Sequence, residues 1–168
     1  MIHDVTVFGA DPTGSSDSTA AFQAAIVAAE NSGMSRKGGD LYVPSGRYVV
    51  KQLRFRRGRS IHFYGAGPGG TVIAQANVEA AEGTPAVPPY TDLFVDEGTG
   101  VWSFLPHFEG FRVEGRADGK SGHIFRFNKG LNRNLRFQEL QILVNQPPLA
   151  GCRTAFGSRP RSRAGSSK

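Results

Sequence analysis

His107-Phe-Glu-Gly-Phe-Arg-Val113 and Arg136-Phe-Gln-Glu-Leu-Gln-Ile142 are the stretches that separate the fold classes open to this chain. At an offset of 29 residues, Phe108 meets Phe137, Phe111 meets Leu140 and Val113 meets Ile142. Self-similarity at a period of roughly 20–50 residues marks stacked architectures, in which each turn of chain buries the open face of its neighbour. Two copies lean the reading toward a solenoid.

Working outward from the repeat, the chain from Leu41 to Val144 consists of short apolar segments. Leu41–Val43, Tyr48–Val50, Leu53–Phe55, Ile61–Tyr64, Leu93–Val95, Val101–Phe104, Phe111–Val113, Ile124–Phe127, Leu135–Phe137 and Leu140–Val144 read as strands. Glycines at Gly46, Gly58, Gly65, Gly98, Gly110, Gly122 and Gly130 punctuate them. No second strong helix interrupts the run, so alternating βαβ units are disfavoured. The class is all-β: a sandwich, a barrel or a solenoid. One helix precedes it, with Asp17, Ser18 and Thr19 as cap candidates, Phe22, Ala25, Ile26 and Ala29 at helical spacing, and Gly33 as the stop. Val5-Thr-Val-Phe8, before a turn-rich loop, reads as a strand.

Four stretches carry a family resemblance. They are Val7-Phe-Gly-Ala10; Asp17-Ser-Thr-Ala-Ala-Phe-Gln-Ala-Ala-Ile26; Gly38-Gly39 with Leu41-Tyr-Val-Pro-Ser-Gly-Arg-Tyr48; and Ile61-His-Phe-Tyr-Gly-Ala-Gly67 followed by Thr71-Val-Ile73. In this order and spacing they resemble the opening of the pectate-lyase-like superfamily of single-stranded right-handed β-helices, which includes many phage tailspikes. The resemblance implies an all-β right-handed parallel β-helix, a solenoid with one N-terminal capping α-helix. It implies a protein that binds or degrades polysaccharide, anionic polysaccharide included, as an extracellular lyase or glycoside hydrolase or as a trimeric tailspike of a phage virion. Family members are generally much longer, and the strands here run into a basic tail. The expected organisation is therefore an incomplete helix-capped β-helix domain over residues 1–150 and a disordered basic tail over residues 151–168. The alternative is a non-catalytic tail or adhesion element, or a truncated gene product.

Composition narrows the partners. The chain has 168 residues and a net charge of +6, but the segment from Cys152 to Lys168 holds five basic residues and no acids. The body is left near +1, and Phe156 is the tail's single aromatic, so nucleic-acid binding is not expected. No run approaches the ~18 apolar residues of a membrane span. The opening Met1-Ile-His-Asp lacks the basic and apolar regions of a signal peptide. A single cysteine rules out an internal disulfide framework and any cysteine-based zinc cluster.

Candidate sites are sparse. Arg54 and Arg56 share one strand face in an acid-free stretch, and guanidinium forks suit uronate carboxylates, so they are the substrate-binding candidates. Asp92, Asp96 and Glu114 are the catalytic candidates. Glycoside hydrolysis needs carboxyl groups paired roughly 5–9.5 Å apart, yet at the 29-residue offset Glu109 meets Gln138 and Glu114 meets Leu143. A lyase would instead need a basic residue and usually Ca2+, held by clustered acids such as Asp92, Asp96 and Glu97. Otherwise no cofactor is expected. His3, His62, His107 and His123 show no metal-ligand pairing at close spacing, and no metal site is expected. Gly65-Ala-Gly-Pro-Gly-Gly70 matches a dinucleotide fingerprint, but Thr71-Val-Ile73 looks β where a helix N-terminus is required, so a turn between coils accounts for it better. Gly115-Arg-Ala-Asp-Gly-Lys-Ser121 is one residue short of a phosphate loop and reads as a surface turn.

Overall fold

The computed structural model describes residues 1–33, 37–55, 59–77, 92–96, 102–104, 106–117, 121–127, 131–133 and 135–143. Strand β1 (Ile2–Asp4) and helix α1 (Thr19–Ser32) precede β2 (Lys37–Val43), β3 (Gly46–Val50), β4 (Leu53–Phe55), β5 (Ser60–Gly65) and β6 (Thr71–Gln75). Then come β7 (Phe94–Asp96), β8 (Trp102–Phe104), β9 (His107–Glu114), β10 (Phe125–Phe127), β11 (Leu131–Arg133) and β12 (Arg136–Leu143). Among the described residues the chain is mostly β with one α-helix, and the strand pairs are parallel. No helix among the described residues is long and apolar enough to cross a membrane.

Parallel neighbours cannot be joined by tight hairpins, so the chain must travel away and return between partners. It does so along recurring runs. In the first, Asp40 pairs with His62, His62 with His107, and His107 with Arg136, at spacings of 22, 45 and 29 residues. In the second, Tyr48 pairs with Ile73, Ile73 with Val113, and Val113 with Ile142. In the third, Leu53 pairs with Phe94, and Phe94 with Phe125. β8 and β11 form a further pair. The offset of 29 read from the sequence is the register of β9 on β12.

β9 serves two runs, because His107–Glu109 meets β5 while Arg112–Glu114 meets β6. The corner between them falls at Gly110, whose φ of +68° is left-handed. A Cβ on Gly65, in the rung before, would lie 2.5 Å from the Gly110 carbonyl oxygen. Glycine is thus needed here for backbone angle and for close approach. On β12 the same corner is taken by Glu139, at φ +50°.

The strands alternate, as a half-buried sheet requires. Leu41, Val43, Ile61, Phe63 and Phe108 point inward and are fully buried. Inside, Phe63, Phe94 and Phe108 lie 5.3–5.7 Å apart, and Phe125 stacks on Phe94 at 4.9 Å. Each such ring contributes about 1.5–3 kcal/mol through burial. At the β12 edge Phe137 stacks on Phe108 at 5.7 Å yet is 47% exposed.

Helix α1 lays Phe22, Ala25, Ile26 and Ala29 on this core, with Phe22 edge-on to Tyr48 at 5.4 Å. Its start differs from a simple cap. Ser18 occupies the cap position, but its hydroxyl accepts the Asp11 amide at 2.9 Å, and Asp17 accepts the Thr19 amide instead. Val5–Phe8 is a 3-10 turn, which corrects the strand expected there. The Asp4 carboxylate captures the Thr6 amide at 2.8 Å, and Gly9 closes the turn at φ +92°. Local side-chain bonding thereby outcompetes the ladder. Strand pairing is made by Ile2–Asp4. Residues 151–168, expected as the tail, lie outside the described residues.

Candidate functional site

Because inward positions of the first run are apolar, Asp40, Tyr42, His62, Tyr64, His107 and Glu109 all project from its outer face. Parallel register brings them together although up to 69 residues separate them in the chain. The rings form a continuous row. Tyr42 and Tyr64 lie 5.1 Å apart, Tyr64 and His62 4.7 Å, and His62 stacks on His107 at 4.6 Å with planes 16° apart. The two carboxylates engage the imidazoles. His62 Nε2 donates to Glu109 Oε2 at 2.9 Å, and His62 Nδ1 lies 3.8 Å from Asp40 Oδ1. His107 Nε2 sits 3.8 Å from the same Glu109 oxygen.

Burial, together with His62 and Arg136 nearby, lowers the His107 pKa against the opposing pull of Glu109, which favours the neutral ring. Burial raises the Tyr64 pKa, aided by Asp40, Tyr42 and Asp4, so its hydroxyl stays a hydrogen-bond donor. The face therefore offers flat rings, neutral donors and carboxylate acceptors on a rigid ladder. Such a surface suits ligands with apolar faces and many hydroxyls.

The sequence-derived candidates lie elsewhere. Asp92 accepts from the His123 amide at 2.8 Å and pairs with Arg126 at 2.9 Å, clamping the approach to β7 onto that of β10. Asp96 ends β7 and is buried. Glu114 is on the second run, held by Arg47 and, at 3.3 Å, by Arg112. Asp96 and Glu114 thus belong to different sheets. Arg54 lies in β4, where the Gln23 side chain bonds both its amide (3.0 Å) and its carbonyl (2.8 Å). With Asp17, Gln23, Lys51 and Gln52 it lines an open cleft of about 460 Å3 beside α1. Arg56 and Glu97 lie outside the described residues.

The glycine-rich Gly65–Gly70 stretch is the β5–β6 turn. Thr71 Oγ1 accepts the Ala66 amide at 2.8 Å and donates to the Val43 carbonyl at 3.0 Å. Strand β6 follows, where a dinucleotide site needs a helix.

The family model of rhamnogalacturonase A/epimerase, pectate lyase-like proteins matches residues 2–102. The chain belongs to this family. Two solved structures resemble it at the level of fold. One is an iota-carrageenase complexed to iota-carrageenan fragments, at 22% identity and a TM-score of 0.57, over 84% of this chain and 29% of that one. The other is the ORF18 protein of Geobacillus virus E2, at 22% identity and a TM-score of 0.53, over 81% of this chain and 25% of that one. The chain thus spans well under a third of either structure's length. A search of curated proteins finds no match.

Single sequence offsets do not expose the ring row. Its signal is the alternation in Ile61-His-Phe-Tyr64 beside His107-Phe-Glu109, which puts two histidines on outward positions. Their spacing of 45 residues hid the pairing, because the repeat shows at 29.

Proposed function

We propose that the chain is the N-terminal part of a right-handed parallel β-helix protein that binds polysaccharide along the outer face of its first run. The observation that carries this is the ring row Tyr42–Tyr64–His62–His107 with Asp40 and Glu109 beside it. Aromatic rings stack on the apolar faces of sugars, while carboxylates and imidazoles take their hydroxyls. Membership of a pectate-lyase-like family and the fold shared with a carrageenan-bound enzyme support the ligand class. Degradation, by a lyase using Ca2+ or by a hydrolase, belongs to the complete protein on this reading, and this chain carries an incomplete active site. The cleft at Arg54 is the secondary place for anionic sugar.

The test is affinity electrophoresis against polygalacturonate, rhamnogalacturonan, iota-carrageenan and neutral glucans. At least one should retard the chain, and Tyr64→Ala should weaken that retardation about tenfold, the loss of one stacking ring at roughly 1.4 kcal/mol. No retardation by any polymer, or equal retardation of the variant, contradicts the reading.

A second reading, a trimeric structural element of a phage virion, is favoured by the likeness to a viral protein. It predicts a trimer mass in light scattering and no new reducing or unsaturated ends from the same panel. The polysaccharide enzyme predicts those products from the complete protein and a monomer mass for this chain, and an extracellular setting serves either reading.

A further inference from the structure

We infer that His62, His107 and Glu109 form a binding site for a divalent transition-metal ion of the zinc type. One donor atom from each lies within 4.8 Å of the other two. The Glu109 Oε2 atom is 2.9 Å from His62 Nε2 and 3.8 Å from His107 Nε2. A tetrahedral zinc ion with bonds of roughly 2.0–2.1 Å holds its donors roughly 3.3 Å apart. The two edges to Glu109 bracket that value and the third, between the imidazoles, is at most 4.8 Å, so the stacked rings must tilt toward each other to close on the ion.

Two further features point to a ligand. His107 Nε2 is buried and has no hydrogen-bond partner, although buried polar atoms are nearly always paired. Behind His62 stands Asp40, 3.8 Å from Nδ1, beyond hydrogen-bond distance but within reach once the ring turns toward it. A carboxylate behind a ligating imidazole orients the ring and fixes its tautomer. On metal binding the His62 proton would sit on Nδ1 facing Asp40, leaving the Nε2 lone pair for the ion. The backbone prepares the geometry, because His62 and His107 are direct partners across β5 and β9.

The donor set selects the ion. Two imidazole nitrogens and one carboxylate suit zinc and its neighbours, whereas Ca2+ requires six to eight oxygens. Three protein ligands on an outward, partly exposed face leave a fourth position for water or a ligand oxygen. The inference goes beyond the carbohydrate reading and does not rest on it.

The test is isothermal titration of the metal-free full chain with ZnCl2, backed by the visible spectrum of the Co2+-loaded protein. One equivalent should bind, and Co2+ should give the absorption of a four- or five-coordinate site. His62→Ala, His107→Ala and Glu109→Gln should each weaken binding at least tenfold, and Asp40→Asn by about tenfold through the lost support of His62. His123→Ala should bind as the parent does. Circular dichroism of each variant separates lost binding from lost folding, and Glu109→Gln is the variant that best preserves shape. Absence of binding, or binding unchanged in a folded Glu109→Gln variant, overturns the inference. Polysaccharide retardation measured in chelator decides the carbohydrate reading separately, since that reading predicts binding without metal.

Discussion

Glu139 shows how a single residue reports the architecture. The corner between the first and second runs requires a left-handed backbone, and Gly110 supplies it on β9. One register step along, Glu139 adopts φ +50° with a side chain that disfavours it, at a cost of about 1–2 kcal/mol. Glu139→Gly should therefore stabilise the chain by about 0.5–1 kcal/mol, after the extra entropy of the unfolded chain is allowed for. Urea denaturation checks this, and a loss of stability would show that the corner is not strained. Asp11 makes a prediction in pH. Its carboxylate accepts from the Thr13 hydroxyl and amide (2.6 and 2.9 Å) and from Ser16, which hold its pKa well below the usual carboxylate range. A depressed folded pKa means the stabilisation is complete above the unfolded value of 3.8 and is lost as pH falls below it. Thermal melts between pH 5 and pH 2 should thus fall less steeply for Asp11→Ala than for the parent; parallel curves would contradict the assignment.

At the scale of elements, the helix and most strands were legible because hydrophobic period and glycine turns are local signals. Phe22, Ala25, Ile26 and Ala29 form the buried stripe of α1, as their spacing requires. Phe108 opposite Phe137 and Val113 opposite Ile142 are paired as the repeat indicated. Val5–Phe8 reads as a strand because its residues are apolar and β-prone, whereas Asp4 and Gly9 dictate a turn. The ring row was illegible for a different reason. Register between β5 and β9 spans a connection longer than that between β9 and β12, so no fixed offset exposes it. Arg54 takes an exposed position of β4 between buried Leu53 and Phe55, but what surrounds it, α1 and Gln23, is long-range information. Packing between elements centres on Phe108, which is fully buried and meets Phe55, Phe63, Phe94 and Phe111. Phe108→Ala should cost about 3–5 kcal/mol. A denaturation midpoint within error of the parent's would mean that the runs do not share one core.

At the scale of the whole molecule, stacking parallel runs converts distant residues into contiguous surfaces. Each outer position on one rung is repeated on the next at roughly the 4.8 Å strand spacing, which is why rings can form a row. Among the described residues β12 has a neighbour on one side only, β9, with Phe137, Ile142 and Leu143 exposed. On the proposed reading, polysaccharide binds the outer face of the first run. A 1H–15N NMR titration of the chain with the polymer fragment that retards it most tests this directly. Shift changes should concentrate at Asp40–Tyr42, His62–Tyr64 and His107–Glu109, three segments far apart in sequence moving together. Changes confined to Lys51–Arg54 and the start of α1, or spread without pattern, would contradict it.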